Sequence, residues 1–359
     1  AELKELSGVE LEDYHRPWID EVEFDKDGVH YKRIDKVLDG WFESGSMPFA
    51  QFHYPFENKE LIDAGKTFPA DFIAEGVDQT RGWFFTLQAI ATLNFDSVAY
   101  RNVVSNGLVL DKFGNKMSKR HGNTVDPFQT LNEYGADATR WYMVANAAPW
   151  DNLKFDSNGI TEVQRKLFGT LFNTYNFYAL YANVDRFVVD EMNIIPVDQR
   201  PELDRWIISR LHSLLEEVTG SYENFEPHRA ARAIEEFVDE HLSNWYVRLS
   251  RRRFWKGEMS NDKKAAYETL HECLLVTAQL MSPVAPFFSD WLYNNLTGIL
   301  RDRAKENNTP LRWESVHLTR LTGVEKNNQD KELEERMDLA QKISSMVLSI
   351  RKKENIRVR

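Results

Sequence analysis

Cysteine is nearly absent: Cys273 is the only one in 359 residues, so neither an internal disulfide nor a cysteine-built zinc site is available. It lies in the apolar run LHECLLVTAQLM, where a buried thiol is the plain reading. No run reaches the roughly eighteen apolar residues of a membrane-spanning helix. The acidic start AELKELSGVELED lacks the basic, apolar and small-residue succession of a secretion signal. A cytoplasmic protein with no membrane partner is therefore expected. Methionine is missing from position 1, which leads us to expect a natural start further upstream. An excess of positive charge is also lacking: 45 Lys and Arg stand against 56 Asp and Glu, a net charge of -11. That balance argues against indiscriminate coating of nucleic acid but leaves room for a local basic face.

What is present is an ordinary globular composition, 42% hydrophobic and 28% charged, over a length sufficient for two or three domains. Ten Trp and 22 Phe supply large packed contacts or flat-ring binding pockets. Residues 1–160 mix short apolar runs with the turn signals KDG, DAG, NFDS, KFGN and HGN, and read as α/β. ADFIAEG reads as a strand that feeds, through Gly76, the amphipathic stretch DQTRGWFFTLQAIATL, with Asp78 as candidate N-cap. NVVSNGLVLD reads as the following strand, so that strand, helix and strand form a parallel crossover.

From Thr161 the texture changes to helical periodicity. Leu203, Ile207, Leu211, Leu214 and Val218 recur every three or four residues, and Pro201 suits the first turn of their helix. Further helices are predicted over 161–183, 227–255, 262–281 and 285–297. A charged bridge, 322–336, then leads to one more helix that ends in a basic tail. The expected fold class is α/β followed by an all-α bundle.

Three stretches carry chemistry. In DKFGNKMSKRHGN, Gly114 permits a tight turn, and Lys116, Ser118, Lys119 and Arg120 crowd into five positions. Such a loop is either a solvated tip or a cationic flap that neutralises a departing polyphosphate. In DFIAEGVDQTRGWF, Glu75, Asp78 and Gln79 fall at the end of a strand, where ligands bind in open α/β sheets. In NWYVRLSRRRFWKG, Arg248, Arg251, Arg252, Arg253 and Lys256 form a basic cluster. Arg248, Arg252 and Lys256 share a helix face, with Leu242, Trp245 and Leu249 as an adjacent apolar stripe. The cluster is either a phosphate-tracking surface, with Trp and Tyr to stack on bases, or a set of ion pairs to the acids of EEFVDEH.

KMSKR resembles the KMSKS signature of class I aminoacyl-tRNA synthetases, with Arg120 standing where the family usually has serine. DFIAEGVDQTRGWF and DGWFESGSMPFAQFHYP are similar to the isoleucyl branch of that family. The resemblance implies ATP with Mg2+, isoleucine and isoleucine tRNA as substrates, and a monomer in the full-length enzyme. It implies catalytic roles for Lys116, Ser118 and Lys119, adenylate binding by Glu75, Gly76, Asp78 and Lys119, and isoleucine binding by Trp41, Gln79 and Trp83. Arg248, Arg251, Arg252 and Lys256 would bind tRNA. Zinc, used by some members, finds no site in this chain, and no metal ligands are expected here.

Carried along the chain, the resemblance implies the exit of an editing insertion over 1–30 and the second half of a Rossmann-like nucleotide fold over 31–125. A stem-contact junction over 126–160 follows, in which Arg140 and Trp141 either contact RNA or simply pack their helix. An anticodon-binding helical bundle over 161–321 and a linker into the C-terminal region over 322–359 complete the expectation. The family's HxGH tetrad is not found among the nine histidines, so the chain by itself is expected to be inactive but able to bind tRNA. The alternatives are a piece of a valyl enzyme, disfavoured by DQTRGWF, and a stand-alone RNA-binding module without catalysis.

Overall fold

The computed structural model describes residues 2–36, 39–190, 192–255, 257–309 and 313–357. The chain divides into two compact units, one up to Ser105 and one from Asn106 onward.

In the first unit a hairpin pairs β1 (Glu23–Lys26) with β2 (Val29–Lys32). It is followed by helix α1 (Gly40–Gly45) and by β3 (Ile73–Gly76), which pairs with β4 (Val103–Asn106). Between β3 and β4 runs α2 (Trp83–Phe95). A parallel bridge between Ala70 and Tyr100 continues the pair, so the expected parallel crossover is present. Its core gathers Ile62, Phe68, Leu87, Ala91 and Ala99.

Two expectations for this region need correction. Asp78 does not cap α2, because a 3-10 turn over Val77–Arg81 intervenes and the helix starts at Trp83. Nor is α2 cleanly amphipathic: Phe84, Leu87 and Ile90 are buried while Phe85 and Leu93 are exposed. Further on, NVVSNGLVLD is not one strand. It breaks at Gly107 into β4 and a separate β5 (Val109–Leu110), which pairs in parallel with β6 (Leu153–Lys154). At the break the backbone passes too close to a neighbouring segment for any side chain, which requires glycine. A Cβ at position 107 would sit 2.1 Å from the carbonyl oxygen of Asp151, and the Gly107 amide instead donates to the Pro149 carbonyl at 2.8 Å.

The second unit is helical beyond β5 and β6. After α3 (Pro127–Tyr134) and α4 (Ala136–Asn146) comes α5 (157–185), whose Gln164–Phe168 segment is π-helical. Next are α6 (Glu202–Glu223) and α7 (227–255), the latter π-helical over Phe237–Val247. Then follow α8 (Asn261–Met281), α9 (Pro286–Leu296), α10 (Gly298–Glu306) and α11 (Lys331–Lys353). Sequence periodicity places these elements closely. Pro201 falls at the N-cap of α6 rather than inside its first turn, and Ile207, Leu211, Leu214 and Val218 are buried while Leu203 is only partly so.

One continuous core joins α4 through Trp141 to α5, α6, α7, α8 and α9, with Cys273 fully buried inside it. Among the described residues no helix is long and apolar enough to cross a membrane.

Candidate functional site

The candidate residues fall into both units. In the first, Asp39 caps α1 by accepting from the Trp41 amide at 3.0 Å, which sets the start of the helix that carries Trp41. Gln79 acts as the cap that Asp78 does not supply: its Oε1 accepts from the Trp83 amide at 3.0 Å. Its Nε2 donates to Asp78 Oδ2 at 3.3 Å. The Trp83 indole donates to the Ser44 carbonyl at 3.0 Å, tying α2 to the end of α1.

Gly82 lies at the centre of this group. A Cβ there would stand 2.8 Å from Gln79 Oε1 and 3.1 Å from Trp41 Cη2, so the absence of a side chain lets the indole and the amide close on the backbone. Trp41, Gln79 and Trp83 are thus brought together around a position that charge and motif did not single out. Glu75 and Asp78 are exposed at the end of β3, with Gly76 between them. Two carboxylates there can accept from hydroxyl groups, and Gln79, with one amide N–H given to Asp78, keeps the other to donate.

In the second unit the loop after β5 turns back so that Lys116 bridges Leu110 in antiparallel fashion. Ser118 opens a 3-10 turn over Lys119–His121, its Oγ accepting from the His121 amide at 3.3 Å. Lys116, Lys119 and Arg120 are exposed and make no ion pair among the described residues. A row of unneutralised cations on a short turn is suited to a multiply charged anion.

The arginine cluster separates into two kinds of residue. Arg248, Arg251 and Arg252 are exposed, and none pairs with an acid of EEFVDEH or with any other described acid. Lys256 lies outside the described residues. Arg253 turns inward and grips Asp204 with two bonds of 2.6 and 2.7 Å, and it also meets Asp262 at 3.0 Å. Asp204 is wholly buried and accepts a further bond from the Tyr246 hydroxyl at 2.7 Å. Burial, followed by the charge of Asp204, pushes that hydroxyl well above the ordinary tyrosine range.

The apolar stripe expected beside the arginines is interrupted. Leu242 is buried, Trp245 donates to Met337 Sδ at 3.2 Å, and Leu249 is 53% exposed. Trp255, also 53% exposed, is the aromatic ring beside the arginines that remains open.

The junction residues are occupied structurally. Trp141 is fully buried and donates to Glu235 Oε1 at 2.7 Å, while burial raises the Glu235 carboxyl above its ordinary range. Arg140 donates to the carbonyls of Val284 and Pro283 at 2.9 and 3.2 Å, which fastens α4 to the start of α9. Among the described residues no group of three or more His, Cys, Asp or Glu is arranged to hold a metal ion.

Comparison with known proteins gives these features a context. Residues 2–156 match the family of tRNA synthetases class I (I, L, M and V), and residues 204–359 match the anticodon-binding domain of tRNA ligase. The chain is 56% identical over 97% of its length to the isoleucine-tRNA ligase of Bacteroides fragilis, and 56% identical over 98% to that of Cytophaga hutchinsonii. The Thermus thermophilus isoleucine-tRNA ligase is 43% identical over 97% of the chain. The chain spans 30%, 31% and 32% of these three relatives, about a third of their length.

Among solved structures, the fold is shared with the LeuRS of a ternary complex with tRNA and LeuAMS from Agrobacterium radiobacter K84. That likeness has a TM-score of 0.66 at 18% identity and covers 87% of this chain and 36% of that one. Mycobacterium tuberculosis methionyl-tRNA synthetase in complex with methionyl-adenylate follows at 0.61 and 20%, over 84% of this chain and 56% of that one. Residues 2–156 therefore belong to the class I tRNA synthetases and residues 204–359 to the anticodon-binding domain of tRNA ligases, and nearly the whole chain is similar to about a third of the length of the isoleucine-tRNA ligases.

Proposed function

We propose that this chain serves, within a full-length isoleucine-tRNA ligase, in ATP-dependent activation of isoleucine and in holding isoleucine tRNA. The observation that carries the reading is the lysine loop: Lys116, Lys119 and Arg120 stand exposed, with no ion pair among the described residues, on the turn that follows β5 of a parallel strand pair. In the first step the isoleucine carboxylate attacks the α-phosphate of Mg-ATP, and pyrophosphate leaves with the electron pair of the broken P–O bond. Lys116 and Lys119 offset the charge that grows on the leaving group, and the Ser118 hydroxyl supplies a further donor. Glu75 and Asp78 accept from the adenylate ribose beside Gly76, and Lys119 also contacts the adenylate phosphate. Trp41 and Trp83 flank the amino-acid side chain, while Gln79 offers its amide N–H. In the second step a terminal ribose hydroxyl of the tRNA attacks the adenylate carbonyl and AMP departs.

Changing Lys119 to alanine in the full-length ligase is expected to slow isoleucine-dependent pyrophosphate exchange by about a hundredfold, the scale for losing one preorganised donor at a developing anion. An exchange rate within twofold of the parent would remove the loop from the chemistry.

A second reading, tRNA binding that persists without catalysis, is favoured by the exposed Arg248, Arg251 and Arg252 next to an open Trp255. Replacing the three arginines by alanine is expected to weaken binding of isoleucine tRNA and to flatten the slope of log affinity against log salt by about 2 to 3. An unchanged slope would take RNA off this face.

A further inference from the structure

The lysine loop has a support that its charge pattern does not reveal. Asp111, at the root of the loop, accepts at Oδ1 from the amides of Phe113 and Asn115 at 3.0 and 2.8 Å. Its Oδ2 accepts from Nδ2 of Asn115 at 3.3 Å and from Nδ2 of Asn123 at 3.0 Å. The side-chain bond from Asn123, then the backbone bond from Asn115, holds the carboxyl below the ordinary aspartate range.

Asn123 then reaches into the lysine segment from its far end. Its Oδ1 accepts from the Ser118 amide at 2.9 Å, and its Nδ2 also donates to the Lys116 carbonyl at 3.2 Å. One amide group therefore spans the segment 116–122 and joins it to Asp111. Packing does not supply the same restraint. Phe113, Met117 and Asn123 border a cavity of about 490 Å³ shared with Asp126, Tyr134 and Phe155, so the loop rests over open space rather than on filled core.

We propose that Asn123 and Asp111 are positioning residues for the pyrophosphate-releasing step: together they fix the backbone from which Lys116 and Lys119 project. This rests on the reading of the lysine loop given above. The geometry requires both ends of the amide. An aspartate at 123 would still accept from the Ser118 amide, but it would lose both donations and set a second carboxylate against Asp111. An alanine would lose all three bonds.

The test uses the full-length ligase with Asn123→Ala, Asn123→Asp, and the exchanged pair Asp111→Asn with Asn123→Asp. Isoleucine-dependent pyrophosphate exchange is measured beside single-turnover transfer from preformed isoleucyl-adenylate to tRNA, with Lys119→Ala in the same assays. The expected result is a fall of about tenfold to a hundredfold in exchange kcat for both single variants, the scale of an ångström-sized misplacement. The isoleucine KM, the transfer rate and the melting temperature stay at parental values. The exchanged pair recovers only part of the lost rate: the amide then standing at position 111 can donate to the carboxylate at position 123 and restore that link, while the bond to the Lys116 carbonyl stays lost.

If exchange, transfer and melting temperature fall together, the two residues merely maintain the fold and the proposal is overturned. If Lys119→Ala slows exchange while the Asn123 variants do not, positioning fails and the loop reading stands. If Lys119→Ala has no effect either, both fall.

Discussion

Replacing Gly82 by alanine is expected to raise the KM for isoleucine in pyrophosphate exchange by about tenfold or more, equivalent to roughly 1.4 kcal/mol of lost binding. The new methyl group would lie 2.8 Å from Gln79 Oε1, closer than a Cβ tolerates, and 3.1 Å from the Trp41 ring, tight enough that the ring must give way slightly. Both neighbours can yield, since Trp41 is 45% exposed and Gln79 is only partly buried. The strain is therefore relieved by pushing the indole and the amide outward rather than by unfolding the unit. Gln79 would also have to release the Trp83 amide, which loosens the first turn of α2. The melting temperature should change little while the KM moves, and the valine variant should be worse than alanine. A KM within twofold of the parent would show that Trp41 and Gln79 do not line the amino-acid site.

The second large effect concerns stability. Arg253→Ala is expected to destabilise the helical unit by about 3 kcal/mol or more, because it strips the guanidinium from a carboxylate with no solvent access. Asp204 is 0% exposed and would keep only the Tyr246 hydroxyl and whatever water could enter. For a unit of this size the loss corresponds to a fall in melting temperature of roughly 6–12 °C. Arg252→Ala, one residue earlier in sequence, should leave the melting temperature within a degree or two, since surface changes away from such features usually cost little. Thermal unfolding of both variants under one buffer condition checks the contrast. Equal stability of the two would mean that the Asp204 pair contributes nothing net.

That contrast also marks where sequence reading reaches its limit. The helices of the second unit are legible because Ile207, Leu211, Leu214 and Val218 announce a buried face by spacing alone. The lysine loop is legible because its charge density and glycine-bearing turn are local. The arginines are legible as a cluster but not one by one. Their phase depends on Phe237–Val247, where i to i+5 bonding inserts extra residues per turn and rotates everything downstream relative to an ideal helix. Hence Leu249, expected inside, is exposed, and Arg253, grouped with the solvent-facing basic residues, is directed at Asp204.

In the first unit the difficulty is similar. Nothing in DQTRGW says that a 3-10 turn will move the helix start from 79 to 83 and pass the capping task from Asp78 to Gln79. Asn123 is visible only as part of the turn signal HGN, because its role depends on a carboxylate twelve positions earlier.

The division of labour within Ser250-Arg251-Arg252-Arg253-Phe254 bears on how such segments are probed. Ser250 and Phe254 are buried, Arg253 is paired, and only Arg251 and Arg252 face solvent. A block substitution of this run would mix a folding defect with any loss of RNA affinity, and a deficit seen in it would be credited to the wrong cause. A scan that leaves Arg253 in place reads the outer charges alone. A variant library that permits lysine at 253 would also fail to preserve the pair, since a single ammonium cannot reproduce the two parallel bonds to Asp204.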